Sequence, residues 1–165
     1  MSHPLNHSDL YASPVNQELI NRSAPFTIQR LLDVGAGTGN NLRGLKQLHP
    51  QAHTVAITCS AQEADLLSQV ADETITTDLN RLTTQADWQQ LGLSDKPFDL
   101  IVLSHVLEHL QQPEQVLASL STLLAPNGLA LIALPNICHW RTRLQIARGQ
   151  FRYQDAGVLD RSHLR

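Results

Sequence analysis

The segment Asp33-Val34-Gly35-Ala36-Gly37-Thr38-Gly39-Asn40 carries an acid two residues before the first of three alternately spaced glycines. The acid belongs to a short apolar run, Leu31 to Val34, that reads as a buried strand, and the residues from Asn40 read as a helix. Glycines between a strand and a helix let the backbone turn tightly and come close to a ligand. The dinucleotide fingerprint is G-x-G-x-x-G. Here the spacing is G-x-G-x-G, and Asn40 stands where that fingerprint places its last glycine. A carboxylate at Asp33 would lie near a bound pyrophosphate and repel it. It suits a cation instead, and a charge-assisted hydrogen bond to an ammonium group contributes about 1.5–3 kcal/mol.

A second concentration of reactive side chains is Ser104-His105-Val106-Leu107-Glu108-His109, behind the apolar run Phe98–Ser104. Ser104 and His105 fall at the carboxyl end of a strand expected beside the first, at the switch point where open α/β sheets bind ligands. His105 is therefore a candidate ligand contact or general base, with a packing or capping histidine as the equal alternative. His105-x-x-Glu108-His109 also spells the inverted zincin signature. Such peptidases need a further carboxylate ligand downstream. After Glu114 the only acids are Asp155 and Asp160, and the motif follows a buried strand, so no metal site is expected.

Leu31 to Gly39 resembles motif I of the class I methyltransferases, whose cofactor, S-adenosylmethionine, carries an ammonium and a sulfonium and no phosphate. Phe98-Asp99-Leu100-Ile101, followed by Val106-Leu107-Glu108-His109-Leu110, is similar to a second segment of that family. The resemblance implies cofactor contacts at Asp33, Gly35, Ala36, Gly37, Gly39 and Asn40, at Thr58 and Cys59, at Asp78 and Leu79, and at Ser104 and His105. Most members place an acid at the end of the second strand to hold both ribose hydroxyls. This chain has Thr58 in Ala56-Ile57-Thr58-Cys59-Ser60, as in a minority resembling cyclopropane synthases and tocopherol methyltransferases. A hydroxyl cannot accept two bonds as a carboxylate does. Glu63 is placed either to supply that carboxylate or to sit solvated in a helix's first turn. Asp78 is implied as the partner of the adenine amino group, the alternative being a turn former.

Further along, Pro135-Asn136, His139, Gly149-Gln150-Phe151-Arg152-Tyr153 and Gly157-Val158-Leu159-Asp160-Arg161-Ser162-His163-Leu164-Arg165 resemble bacterial methyltransferases that accompany glycosyltransferases. A similar Pro-Asn and His-Trp-Arg stretch occurs in a methionine-pathway protein of the same superfamily, the rival for substrate class. The resemblance runs from about residue 28 to Arg165. It implies His105 and His139 as catalytic candidates, with Trp140, Tyr153, Arg161 and His163 available to an acceptor pocket.

These residues need a scaffold. Strands are expected at Leu31–Val34, Thr54–Thr58, Glu73–Thr77, Phe98–Ser104 and Leu129–Leu134, the last continuously apolar and so buried on both faces. Helices are expected over 40–49, 61–70, 87–91 and 113–125, the last with Pro113 near its start. Alternating strands and helices argue a parallel sheet. The expected fold is α/β, a Rossmann-like three-layer αβα sandwich. Residues 1–26 are read as an N-terminal cap, 27–135 as the cofactor-binding core and 136–165 as an acceptor-side segment. Family members continue into two more strands of a seven-stranded sheet, so the chain is expected to be a fragment lacking them.

The 165 residues suffice for one core. The net charge of -3 gives no argument for nucleic acid, no apolar run reaches the ~20 residues of a membrane span, and Cys59 and Cys138 form no disulfide or zinc pattern. A cytoplasmic protein is the default reading. Residues 141–165 hold six arginines against two aspartates, a net +4 that leaves -7 for the rest. That end is either a solvated basic surface or one meeting an anionic acceptor or partner. The expected activity is methyl transfer from S-adenosylmethionine to an oxygen or nitrogen of a small-molecule or sugar-linked acceptor, with S-adenosylhomocysteine (SAH) as product. The alternatives are a non-catalytic module of the same fold that binds the cofactor, and a nicotinamide oxidoreductase, which Asp33, Asn40 and Thr58 disfavour.

Overall fold

The computed structural model describes residues 14–136 and 138–149. Its elements run α1 (Gln17–Ser23), β1 (Arg30–Val34), α2 (Asn40–Leu48), β2 (His53–Thr58), α3 (Ala61–Leu67), β3 (Glu73–Thr76), α4 (Gln85–Gln90), β4 (Phe98–Ser104), α5 (Pro113–Ser121), β5 (Leu124–Ala133) and α6 (Trp140–Ala147), with single 3₁₀ turns at Leu79–Arg81 and Leu107–His109. The five strands form one sheet in the order β3-β2-β1-β4-β5, and every pairing is parallel. β1 lies between β2 and β4, so the chain leaves β1 toward one edge and later returns to its other side. Asp33 sits in register with Ala56 on β2 and Val102 on β4.

Side chains alternate across this sheet as strand geometry demands. Leu31, Ala56, Leu100 and Val102 pack with Leu19 and Ile20 of α1, Leu42 and Leu45 of α2 and Leu67 of α3. Leu32, Ile57, Ile101 and Leu103 face the other way, onto Trp88 of α4 and Val116 and Leu120 of α5. Two apolar layers on opposite faces make the three-layer αβα sandwich. Asp99 closes the entrance to β1 by accepting hydrogen bonds from the Gln29 and Arg30 amides at 2.8 and 2.9 Å.

The α4–α5 layer contains one polar anchor. The Trp88 Nε1–H donates to Ser119 Oγ at 2.9 Å, and that hydroxyl shares its one proton between the carbonyls of Leu82 and Val116, each at 3.0 Å. Trp88 is fully buried. Ser119→Ala therefore strands the indole donor and is expected to destabilise the protein by about 1–3 kcal/mol, read as a lower denaturant midpoint at unchanged m value. An unaltered midpoint would mean that the indole needs no partner.

Helix α1 is fastened at both ends. The Asn16 amide donates to Asn41 Oδ1 at 2.7 Å. At the other end Ser23 Oγ donates to the Ile20 carbonyl at 2.7 Å and lies 2.9 Å from His49 Nε2. The hydroxyl's one proton is committed to Ile20, so His49 donates from Nε2. Between these ends Ile20 occupies the space that a side chain on Gly44 of α2 would need.

Several expectations shift. Helix α4 begins at Gln85 because Thr84 and Asp87 form a reciprocal capping box, which places Asp87 inside the first turn instead of at the start. Helix α5 stops at Ser121, since Leu124 already pairs with Phe98 in the sheet. The turn at 125–128 is absorbed as an irregularity between the Phe98 and Leu100 pairings, with Asn127 at φ 66°. The expectation that Leu129–Leu134 is buried on both faces is not met: Ile132 is 43% and Leu134 55% exposed. Among the described residues β5 has β4 as its one strand neighbour, so its apolar run is covered incompletely. No helix among the described residues is long and apolar enough to cross a membrane.

Candidate functional site

At the carboxyl ends of β1 and β4 the described residues form an open, polar cleft. Asp33, Gly35, Ala36, Gly37, Thr38, Asn40, Asn41, Ser104 and His105 line it. The glycine loop between β1 and α2 forms one wall. Gly35, Gly37 and Gly39 have φ of 70°, 54° and 80°, in the left-handed region that favours glycine. The Ala36 amide donates to the Ile57 carbonyl at 2.8 Å, tying the loop to the end of β2. Gly39 starts α2 as its N-cap and lies outside the lining.

Asp33 is 2% exposed, and its Oδ2 has no hydrogen-bond partner. Burial pushes its carboxyl up to about 7, because a charge without a partner is costly in a dry interior. A buried acid with one oxygen unanswered, facing a cleft of glycines, is built for a donor that arrives with a ligand.

The second group of expected residues gathers at the ends of β2 and β3. The Thr58 hydroxyl donates to Glu63 Oε2, and both residues are buried. Ser60 caps α3 by accepting from the Glu63 amide, so the cap turns the Glu63 side chain back toward the strand end. Cys59 is exposed. Its thiol is nonetheless partly desolvated, and that desolvation first, then the Glu63 carboxylate, push it up, with Asp78 adding in the same sense. The three side chains are thus near neighbours. Asp78 itself caps the 3₁₀ turn that Leu79 begins, accepting from the amide and the side chain of Asn80.

The opposite wall is Ser104 and His105. His105 has φ 57°, unusual for a residue with a side chain. Its amide donates to the Ala133 carbonyl at 2.9 Å, fastening the turn to β5. Within the H-x-x-E-H segment only Leu107–His109 turn, as a 3₁₀ turn, and His105 precedes them at positive φ, so its two histidines are not stacked on one α-helical face. Among the described residues no group of three or more His, Cys, Asp or Glu is placed to hold a metal. Instead Glu108, 6% exposed, turns beneath His105, whose Nδ1 lies 3.3 Å from Glu108 Oε1.

His139 lies at the start of α6 with its ring 6.0 Å from that of Trp140, outside the cleft lining. Tyr153, Arg161 and His163, with Phe151, Arg152, Asp155 and Asp160, lie outside the described residues. Sequence reasoning missed Thr38 and Asn41 in the lining. Asn41 is buried because its side chain accepts the Asn16 amide from 25 positions earlier, and nothing local in the sequence signals that contact. Glu108 was visible as part of a metal motif, but not as the partner of His105.

A family model described as a methyltransferase domain matches residues 9–164. Malonyl-[acyl-carrier protein] O-methyltransferase of Geobacter sulfurreducens is 36% identical over 105 residues, covering 64% of this chain and 38% of that protein. tRNA 5-carboxymethoxyuridine methyltransferase of Escherichia coli is 28% identical over 129 residues, 78% of this chain and 48% of that one. The chain thus spans less than half the length of these curated relatives. Among solved structures, the plantazolicin methyltransferase BpumL in complex with SAH superposes with a TM-score of 0.62 at 16% identity, covering 87% of this chain and 52% of that one. Coclaurine N-methyltransferase bound to N-methylheliamine and SAH gives 0.56 at 17% identity, covering 70% and 33%. These structures share the fold. With the family model matched along nearly its whole length, the chain belongs to the methyltransferase domain family.

Proposed function

We infer that the cleft binds S-adenosylmethionine and that the protein transfers its methyl group to an oxygen or nitrogen of a small-molecule or sugar-linked acceptor. The observation that carries this reading is the buried, unanswered Oδ2 of Asp33 in a cleft lined by Gly35 and Gly37, both of positive φ. The residues fit the cofactor: an ammonium group answers Asp33, and the loop offers no clustered positive charge for a pyrophosphate. The Thr58–Glu63 pair supplies the hydroxyl and carboxylate expected at the ribose. Asp78 and Leu79 border the adenine end, Ala36, Gly37 and Asn40 the glycine wall, and Ser104 and His105 the side from which an acceptor enters. When bound, the cofactor supplies a methyl group already activated by its sulfonium. The chain's own work is to hold the acceptor in line, exclude water and take a proton. His105 is the base in this reading; His139 becomes a second candidate if α6 approaches the acceptor. The relatives named for O- and N-methylation favour these acceptor atoms. The similarity of the last thirty residues to glycosyltransferase-associated methyltransferases favours a sugar-linked acceptor. Calorimetric titration with S-adenosylmethionine and SAH tests the reading. Saturable micromolar binding of both is the expected result, and a folded protein that binds neither would end it.

A further inference from the structure

Glu108 is the one carboxylate among the described residues with both oxygens buried and without a hydrogen-bond partner. It stands in the turn Leu107–His109, with the core residues Leu107 and Leu110 on either side. Leaving a carboxylate there costs free energy unless something nearby answers it. A basic side chain stands beside it: His105 Nδ1 lies 3.3 Å from Oε1, within ion-pair range but outside hydrogen-bond geometry in the ligand-free protein. His105 in turn is held in a left-handed conformation, pinned through its amide to Ala133, and lines the cleft. A backbone strained at a ligand-facing residue persists only where its surroundings over-determine it. Here they do: Val106 packs against Gly35, Leu107 and Leu110 enter the core, and the Ala133 carbonyl takes the amide.

We propose that Glu108 is a positioning residue that fixes the tautomer of His105, holding the proton on Nδ1 so that Nε2 is presented as the acceptor for a proton from the bound substrate. This rests on the methyltransferase reading for its chemistry but not for its geometry. An ionised carboxylate accepts and never donates, so it selects the Nδ1–H form of a neutral imidazole. When the acceptor's oxygen or nitrogen bonds to the methyl carbon, the bond from that carbon to sulfur breaks and its electron pair stays on sulfur. The acceptor's proton passes to Nε2. The imidazolium so formed then sits against the Glu108 carboxylate, which stabilises it. Glu108 touches neither acceptor nor cofactor in this scheme.

Two-bond ¹H–¹⁵N correlation spectra of the ligand-free protein, near pH 8.5, where an ordinary imidazole is neutral, report the tautomer directly. The Nδ1–H form of His105 is expected to exceed the Nε2–H form about tenfold, because the carboxylate 3.3 Å from Nδ1 attracts an N–H there and repels a ring lone pair. Glu108→Gln is expected to erase most of that bias while its affinity for S-adenosylmethionine stays within about twofold. With an acceptor in hand, kcat should fall about 10²-fold with little change in KM, and Glu108→Asp should recover part of it. A wild-type His105 found mainly as Nε2–H overturns the proposal whether or not any variant folds. So does a Glu108→Gln protein with an unchanged tautomer. Failure of the wild type to bind S-adenosylmethionine would overturn the methyltransferase reading instead, and the tautomer result distinguishes the two.

Discussion

Asp33→Asn is expected to make the ligand-free protein more stable at pH 8 and to weaken its affinity for S-adenosylmethionine. Burial holds the Asp33 carboxyl at about 7 in the folded protein, against 3.8 for an ordinary aspartate. Below about pH 4 both folded and unfolded chains carry this proton. Between about pH 4 and 7 the folded chain keeps it while the unfolded chain loses it, so this residue's contribution to stability falls as pH rises. Above about pH 7 the folded protein bears the full cost of the charge, on the order of 4 kcal/mol. Asparagine has no charge to bear but still buries an amide, so the net gain at pH 8 is expected to be about 1–3 kcal/mol. Denaturant titrations across the pH range should show the wild-type slope flattened in the variant. The same substitution removes the partner of the ligand's ammonium, and affinity should fall about 10–100-fold. In the wild type, affinity should rise with pH up to about 7, approaching tenfold per unit, because binding requires the ionised acid. A variant less stable than wild type at pH 8, or one that binds equally well, would contradict this account.

Such a site trades stability for binding, and the trade was half legible in the sequence. An acid before a glycine loop announces a cationic ligand, but not that one oxygen is left unanswered. β1, β4 and the second half of β5 were legible as apolar runs of the right length, β2 by its β-branched alternating residues, and β3, with Ile75 as its one apolar residue, less directly; the observed alternation of Leu31 with Leu32 and Ile101 with Val102 follows from the pleat. β5 misled because a run of apolar residues reports what a strand can bury, whereas actual burial depends on its neighbours. The segment after β4 misled differently. Its motif spacing presumes 3.6 residues per turn, yet the chain there makes a 3₁₀ turn with His105 at positive φ. Once that turn is tightened, Glu108 meets His105 instead of a metal. Asn41 was illegible for a third reason: its partner lies in α1, and only the folded chain brings them together. The Thr58–Glu63 pair was the intermediate case. The departure from an acid at Thr58 raised the question, and the folded chain sets the buried Glu63 carboxylate against Thr58 at the strand end, which the sequence left open.

Gly35→Ala is expected to destabilise the protein by about 2–5 kcal/mol, and Gly92→Ala separates the two causes. Gly35 has φ 70°, and a Cβ added there would stand 2.6 Å from Val106 Cγ2. The left-handed conformation alone costs a residue with a side chain about 1–2 kcal/mol. Forcing an extra carbon into a packed contact adds about 1–3 kcal/mol. Gly92 has φ 71° and nothing within 4 Å of the same imagined carbon, so its substitution meets only the backbone cost. The difference between the two variants therefore measures the wedge of Val106 against the glycine loop. That wedge ties the two walls of the cleft, because Val106 follows His105 and precedes the turn that carries Glu108. If Val106 yields to the new methyl group, His105 moves with it, and S-adenosylmethionine affinity falls along with stability. Gly35→Ala combined with Val106→Ala should recover the packing part and leave the backbone part, a coupling of about 1–3 kcal/mol in a double-mutant cycle. If Gly35→Ala costs no more than Gly92→Ala and binds the cofactor normally, the loop and the His105 turn are independent, and the cleft's two walls are positioned by the strands alone.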